Sequence, residues 1–164
     1  MADGARPDGP LSVLGLSVIA ATVAVDQGAK AIAEATLPFG EPQPLLPILA
    51  LYRIHNPGIA FSMLTRLGGA GLVVMTFAIV AVVLAFWWRA ADGGRVAAVG
   101  YALIVGGAVG NLLDRLVYGQ VVDFLLFHIG DLTFFVFNLA DAALTFGPLL
   151  LLAAYAWPRR QGAA

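Results

Sequence analysis

Residues 120–143 read QVVDFLLFHIGDLTFFVFNLADAA and place two carboxylates, Asp123 and Asp141, in some of the most apolar sequence of the chain. Asp141 opens a run that stays apolar as far as Trp157. An ionisable group at the end of a membrane span is costly, so it marks a functional-site hypothesis. Two carboxyl groups that could meet at such a boundary indicate acid–base chemistry between them.

The composition around this stretch is that of a membrane protein. Of the 164 residues, 60% are hydrophobic and 12% are charged, whereas about a quarter of the residues in a soluble domain are charged. The length predicts one integral-membrane domain, and the net charge of -1 gives no reason to expect a nucleic-acid partner. Because the chain lacks cysteine and neither His55 nor His128 lies in a metal-binding pattern, we expect no metal and no cofactor.

Four apolar stretches are long enough for membrane helices, which need about 20 apolar residues. The predicted spans cover residues 11–33, 69–88, 96–117 and 138–157. The A-x-A pattern at residues 31–33 leaves a cleavable signal peptide as an alternative for the first span. Asp26 and Lys30 in the candidate cleavage region, and a single preceding arginine, Arg6, argue against that alternative.

The segments between the spans differ in character. Residues 1–10 are polar and are predicted to be a disordered tail. Residues 37–66 hold five prolines, which exclude a long helix. Within them, residues 48–54 predict a strand, and residues 61–64 predict a second strand or the start of a short helix. Residues 118–137 carry turn signals and are predicted to be a loop outside the membrane.

The predicted fold is therefore membrane all-α, with four transmembrane helices and a small β-rich cap on the membrane surface between helices one and two. An unstructured loop is the alternative to the cap. Four spans put both termini on one side, and the arginines in short segments on that side are Arg6, Arg89, Arg95, Arg159 and Arg160. The opposite side has Arg53 and Arg66, so the bias favours cytoplasmic termini, with the cap and both aspartates facing outward.

The polar residues of the spans cluster by depth at this outward side. They are Asp26, Lys30, Asn111, Asp114, Arg115, Asp123, Asn138 and Asp141. Asp26 and Lys30 are four residues apart on one helix face and can pair. Asp114 can pair with Arg115 or with another cation, because buried charges need partners. Taken alone, Lys30 and Arg115 are also explained by snorkelling to the interface.

This pairing leaves Asp123 and Asp141 without an obvious cation. Two carboxylates in a poorly solvated site cannot both ionise easily, so one keeps a proton. The ionised group can deprotonate a water, and the protonated one can polarise a carbonyl and then protonate the leaving amine. Taken alone, Asp123 could instead be a helix cap or turn residue, and Asp141 a first-turn acid favoured by the helix dipole.

Five blocks in order carry a family resemblance: VDQGAK at 25–30, HNPGIAF at 55–61, GGAVGNLLDR at 106–115, VDF at 122–124 and FNLAD at 137–141. Together they resemble lipoprotein signal peptidase, the bacterial signal peptidase II family, over most of the chain. The resemblance implies an intramembrane aspartyl protease of four helices with a periplasmic β-cradle. Such an enzyme removes the signal peptide from prolipoproteins by cutting before a cysteine that already carries diacylglyceryl.

The resemblance also implies roles for individual residues. Asp123 and Asp141 match the catalytic dyad. The matching substrate-binding or supporting positions are Asn56, Gly58, Asn111, Arg115, Asn138, Asp26, Lys30 and Asp114. The implied partners are a lipidated prolipoprotein and membrane lipid, and we expect a monomer. The implied location is the bacterial inner membrane, with the active site toward the periplasmic leaflet.

Two other classes of protein use carboxylates in a membrane. A small proton-coupled transporter predicts polar residues near mid-membrane and inverted repeats, whereas here the polar residues lie toward one leaflet and no repeat is visible. A non-catalytic membrane assembly factor predicts that single aspartate changes alter partner binding rather than proteolysis. The motifs of other intramembrane proteases, G-x-G-D, G-x-S-x-G and H-E-x-x-H, are absent from the sequence.

Overall fold

The computed structural model of the chain describes residues 6–58 and 68–156. The strand or short helix predicted over residues 61–64 lies outside these ranges, as do Arg66 and the two arginines after residue 157. The disordered tail predicted over residues 1–10 is described only from residue 6.

The four predicted spans are helices in the structure. They are α1 (Val13–Thr36), α2 (Gly68–Arg89), α3 (Gly94–Tyr118) and α4 (Leu139–Ala156). By length and composition, all four could cross a membrane. Helix α3 ends at Tyr118 and is followed by Gly119, whose φ of 72° suits a glycine at a helix C-terminus.

Helix α3 is the centre of the bundle and packs against the other three helices. Its glycines permit this packing, because neighbouring groups occupy the space that a Cβ would need. A Cβ at Gly106 would lie 2.8 Å from the Cβ of Thr22 on α1, and one at Gly107 would lie 2.5 Å from the carbonyl oxygen of Ala140 on α4. Small residues at a helix interface allow this close approach of the backbones.

The segments that connect α1 to α2 and α3 to α4 each supply two strands of one four-stranded antiparallel sheet. Its strands are β1 (Gln43–Leu46), β2 (Leu49–Asn56), β3 (Val121–Ile129) and β4 (Leu132–Phe137). The cap predicted between helices one and two is confirmed as β1 and β2. The central pair, β2 and β3, joins the two halves of the chain, with Ile54 opposite Asp123 and His55 opposite Val122.

The loop predicted over residues 118–137 is wrong in part, because this segment supplies β3 and β4. Val122, Phe124 and Leu126 alternate along β3 and are all buried, and Gly130 makes the turn into β4 at a positive φ of 57°. Gly130 and Asp131 in the sequence correctly indicated a turn at this place. What they did not reveal was the partner strand β2, which lies more than sixty residues away in the chain.

Residues 6–10 also depart from the predicted disordered tail, since they contact the end of α2. The indole Nε1 of Trp87 donates to the carbonyl of Asp8 at 2.8 Å, and Arg6 donates to the carbonyl of Trp88 at 3.1 Å. Trp87 is fully buried against Ala98 and Ala102, so its N–H needs an acceptor that water cannot supply. The tail provides that acceptor.

Candidate active site

Asp123 lies on β3 with its side chain buried between two amides. The Nδ2 of Asn56, at the end of β2, donates to Oδ2 at 2.9 Å, and the Nδ2 of Asn138 donates to Oδ1 at 2.7 Å. Asp123 is 1% exposed. Because side chains alternate along a strand, Asp123 points to the face opposite to that of its neighbour Val122.

Gly58 explains the orientation of the Asn56 amide. Its backbone N–H donates to Oδ1 of Asn56 at 2.9 Å, which turns the Nδ2 of Asn56 toward Asp123. Gly58 has a φ of 99°, a conformation that residues with a Cβ rarely adopt. The two predicted site residues therefore act together on the carboxylate of Asp123.

Asp141 lies in the first turn of α4 and forms a reciprocal cap with Asn138. The N–H of Asp141 donates to Oδ1 of Asn138 at 2.9 Å, and the N–H of Asn138 donates to Oδ2 of Asp141 at 3.2 Å. This is the geometry of a capping box, with an Asn and an Asp in the two roles. The remaining oxygen of Asp141, Oδ1, accepts from Nδ2 of Asn111 at 2.8 Å.

Asn138 brings the two aspartates together, because its fully buried side chain and backbone contact both of them. Its Nδ2 contacts Asp123, Oδ1 of Asn111 at 3.1 Å and the carbonyl of Val122 at 3.3 Å. The side chains of Asp123 and Asp141 are thus neighbours around one asparagine. They do not lie on opposite sides of the molecule.

Burial raises the pKa of Asp123 to about 6, and the hydrogen bond from Asn56 acts in the opposite direction. The negative charge of Asp141 raises this pKa further, whereas the hydrogen bond from Asn138 and the positive charge of Lys30 lower it. A carboxyl group with such a pKa can gain or lose a proton near neutral pH, as a general acid or base requires. Because the neighbouring carboxylates interact, the two groups titrate as a unit, and the apparent pKa values belong to the pair.

The cation of Asp114 is Lys30 and not Arg115, which resolves the alternatives that the sequence left open. The Nζ of Lys30 lies 2.8 Å from Oδ2 of Asp26 and 2.7 Å from Oδ2 of Asp114. The predicted pair of Asp26 and Lys30 is confirmed. Lys30 is 3% exposed, so its side chain does not snorkel to the interface.

Arg115 lies close to the charges of Asp141 and Asp123, and its side chain is half-buried. Its Nη1 donates to the carbonyl of Asn111 at 3.2 Å. Its Nε is buried and has no hydrogen-bond partner in the described part of the chain. A buried donor without a partner is uncommon in native structures.

One contributor to this region was missed in the sequence. The Nε2 of Gln27 donates to Oδ1 of Asp114 at 2.8 Å and to the carbonyl of Gly110 at 3.2 Å. The signal that could have found it is its place beside Asp26 in VDQGAK, the first of the five blocks that carry the family resemblance. Gln27 ties α1 to α3 next to the ion cluster.

A cavity of about 550 Å³ lies on the other face of the β2–β3 pair. Its lining includes His55 and Val122, the strand neighbours of Asn56 and Asp123, and it does not include either of the two aspartates. His55 there contacts Gln120 through Nδ1 and Glu34 through Nε2. This cavity is therefore separate from the carboxylate pair.

Four apolar helices, with polar side chains gathered at one end beneath a small sheet, define a polytopic membrane protein with a buried polar site at the membrane boundary. The model of the Signal peptidase (SPase) II family matches residues 18–157. The chain belongs to this family, and it is a multi-pass bacterial membrane protease.

Similar proteins agree with this assignment. The lipoprotein signal peptidases of Brucella ovis and Brucella melitensis are each 48% identical over 137 residues, which span 84% of this chain and 86% of the relative. A solved structure described as a bacterial membrane enzyme at 2.3 Å resolution is 25% identical, with a TM-score of 0.79 over 100% of this chain and 99% of its own. A second one, at 1.9 Å, is 27% identical, with a TM-score of 0.78 over 91% of this chain and 96% of its own.

Proposed function

We propose that this protein removes the signal peptide from diacylglyceryl-modified prolipoproteins, cutting before the lipidated cysteine, and that Asp123 and Asp141 activate the attacking water. The family assignment and the lipoprotein signal peptidases of Brucella support the substrate class. The observation that carries the dyad is Asn138, whose side chain donates to Asp123 while its backbone N–H donates to Asp141.

The reaction needs the pair to hold one proton. The ionised carboxylate takes a proton from water, and the water oxygen attacks the peptide carbonyl carbon while the protonated carboxyl gives its proton to the carbonyl oxygen. The tetrahedral intermediate then collapses: the C–N bond breaks, and the nitrogen takes a proton from the acid that received the water's proton. A hydroxyl group of the intermediate returns its proton to the other carboxylate as the new carboxyl group forms, so the pair again holds one proton in its starting arrangement. No nucleophilic side chain takes part in these steps.

The polar side chains around the two carboxylates have roles that fit this reaction. Asn56, Asn111 and Asn138 donate amide protons to the two carboxylates and hold them in place. Arg115 has a buried Nε with no partner in the described residues, and we assign it to a carbonyl oxygen of the substrate backbone. An extended peptide bound in this way would place its scissile bond at the pair.

The substrate class agrees with the position of the site in the bundle. An acylated peptide is anchored in a leaflet, so a catalyst for it must lie at the end of the membrane spans. We place this end at the periplasmic leaflet of the inner membrane, with cytoplasmic termini and with lipid chains against the apolar helices of a monomer. Arg6 contacts the end of α2 at Trp88, which puts it on the same side as Arg89 and Arg95, as the positive-inside rule requires.

The test is cleavage of a lipidated prolipoprotein and its non-lipidated form by the purified protein in lipid. Asp123→Asn or Asp141→Asn should lower turnover of the lipidated substrate by about 10³-fold or more, because each removes one acid–base partner. The matched control is Asp131→Asn, which changes an exposed aspartate in the turn between β3 and β4 and should leave turnover unchanged.

Two outcomes would contradict the proposal. Retained turnover in either dyad variant, with the fold verified by circular dichroism, would refute the roles given to the two aspartates. Equal cleavage of the lipidated and non-lipidated forms would refute the substrate class. Proton-coupled flux into liposomes, lost in the same two variants, would support the transporter alternative instead.

A further inference from the structure

The ammonium group of Lys30 is buried at the junction of three elements, and each of its three N–H donors has an acceptor. Besides the oxygens of Asp26 and Asp114, Nζ lies 3.0 Å from Oδ1 of Asn111. The side chain is 4% exposed. A buried cation whose donors are all used does not bind a substrate directly.

Each acceptor of Lys30 leads to one of the two candidate catalytic aspartates. Oδ2 of Asp114 accepts from the backbone N–H of Val122 at 3.2 Å, one residue before Asp123. Oδ1 of Asp26 accepts from the N–H of Ala140 at 2.8 Å, one residue before Asp141. Two successive hydrogen bonds therefore connect the ammonium group to the backbone next to Asp123, and two others connect it to the backbone next to Asp141.

The third acceptor, Asn111, touches Asp141 itself. A side-chain amide can turn either its oxygen or its NH₂ group toward a neighbour, because the two have nearly the same shape. Lys30 can only donate, so Asn111 must present its oxygen to Nζ. Its NH₂ group then points to Oδ1 of Asp141. The amide oxygen of Asn111 also accepts from Nδ2 of Asn138.

We propose that Lys30 is a positioning residue for the reaction: its ammonium fixes the spacing of Asp123 and Asp141 and the orientation of the Asn111 amide between them. This inference rests on the proposed function of the pair. An ion cluster that serves folding alone would need a cation near Asp26 and Asp114. It would not need that cation to orient the amide that contacts Asp141, and buried ion pairs are weak evidence for stability in any case.

The experiment compares kcat and KM for a lipidated prolipoprotein in two variants. Lys30→Met removes the cation and all three donors. The triple variant Asp26→Asn, Lys30→Met, Asp114→Asn leaves a neutral cluster in which the amide oxygens can still accept from Ala140 and Val122, and it is the decisive variant if Lys30→Met does not fold. We expect kcat per folded molecule to fall by about 10²-fold in both, the usual effect of misplaced catalytic groups, with KM within about twofold.

The pH profile distinguishes positioning from folding. Since the positive charge of Lys30 lowers the pKa of Asp123, its loss in Lys30→Met should move the alkaline limb of the rate profile to higher pH. A purely structural role would lower the melting temperature and the folded fraction, while kcat per folded molecule and the pH profile stayed as in the wild type. That result in either variant would overturn the inference.

The control is Arg95→Met, which removes a cation that is 88% exposed and lies 3.8 Å from Asp8, away from the carboxylate pair. It should leave kcat, KM and the pH profile unchanged. Asp123→Asn and Asp141→Asn are assayed in parallel. If these two retain turnover, the proposed function fails. If they lose turnover while the Lys30 variants keep the kcat of the wild type, only the positioning role fails.

Lys30 is the only lysine in the chain, which allows a direct check of its environment. Labelling with ζ-¹⁵N lysine gives one ammonium signal. In detergent or nanodiscs this signal should show protons that exchange slowly with solvent and should shift in Asp141→Asn, because Asn111 connects the two groups. Fast exchange, or an unchanged signal in that variant, would contradict the proposed connection.

Discussion

At the scale of single residues, the fold holds Asp123 in a place that suits chemistry better than stability. Its carboxyl group is almost fully buried on β3 beside a second carboxyl group, and the amides of Asn56 and Asn138 donate the hydrogen bonds that replace water. Groups that are costly to bury persist at functional sites because the surrounding structure holds them there. The cost appears when the carboxyl group ionises.

This cost gives a pH-dependent stability. The pKa of Asp123 rises from 3.8 to about 6 on folding, so the folded protein binds the proton more tightly than the unfolded chain does. The stabilisation by the bound proton is complete below pH 4 and is lost as the pH rises through about 6. Asp123→Asn, which mimics the neutral acid, should therefore raise the free energy of unfolding at pH 8 by about 1–3 kcal/mol and leave it unchanged near pH 4.

Unfolding of both proteins in mixed micelles at pH 4 and at pH 8 measures this difference. Asp131→Asn again serves as the control, since its carboxylate is exposed. An inactive Asp123→Asn variant that is also less stable than the wild type at pH 8 would show that the ionised carboxylate is favourable in the fold.

At the scale of elements, the helices and the sheet differ in how far the sequence alone could predict them. Each membrane helix is encoded locally, in about 20 consecutive apolar residues, and all four were predicted. Strands β3 and β4 were predicted as a loop, because what makes them strands is pairing with β2 and burial against the helix ends. That information is not local to residues 118–137.

In the candidate site, too, local features could be predicted from the sequence and contacts between distant residues could not. Asn138 and Asp141 are three residues apart in the sequence, and the structure shows their reciprocal cap. The partner of Asp114 could not be chosen from the sequence, since Lys30 lies more than eighty residues away and only the packing of α1 on α3 brings it there. The contact of Gln27 with Asp114 depends on the same packing of α1 on α3.

The packing of α3 on α4 leads to a prediction at this scale. A Cβ at Gly107 would lie 2.5 Å from the carbonyl oxygen of Ala140, and backbone atoms cannot move aside without shifting the first turn of α4. Gly107→Ala should therefore lower the free energy of unfolding by about 1–3 kcal/mol, as overpacked interiors do. It should also reduce kcat, because Asp141 lies on that turn.

Gly28→Ala is the matched control, also on a membrane helix and close to the ion cluster. No atom lies within 4 Å of a Cβ built there, so this variant should be neutral or up to about 1 kcal/mol more stable, as expected for alanine in a helix. Thermal unfolding and substrate cleavage measure both variants. Equal behaviour of the two would mean that α4 can move away from α3 without consequence.

At the scale of the whole molecule, the sheet connects the two halves of the chain at the end of the bundle that holds the carboxylates. Strands β1 and β2 come from the segment after α1, and β3 and β4 come from the segment between α3 and α4. The tail and the turn between α2 and α3 meet at the Trp87 end instead. The molecule therefore has a sheet end and a tail end, and its proposed function requires that the sheet end face the periplasm.

The absence of cysteine from the sequence allows this orientation to be measured directly. Asp131→Cys places a single thiol in the exposed turn between β3 and β4, and Ala91→Cys places one in the exposed turn between α2 and α3. In spheroplasts, a membrane-impermeant maleimide should label the first variant and not the second, and inverted membrane vesicles should show the reverse. Both variants should still cleave substrate, because neither position contacts the carboxylate pair. Labelling of Ala91→Cys in intact spheroplasts would put the tail end outside and the site on the cytoplasmic side, where a lipid-anchored substrate exposed to the periplasm could not reach it.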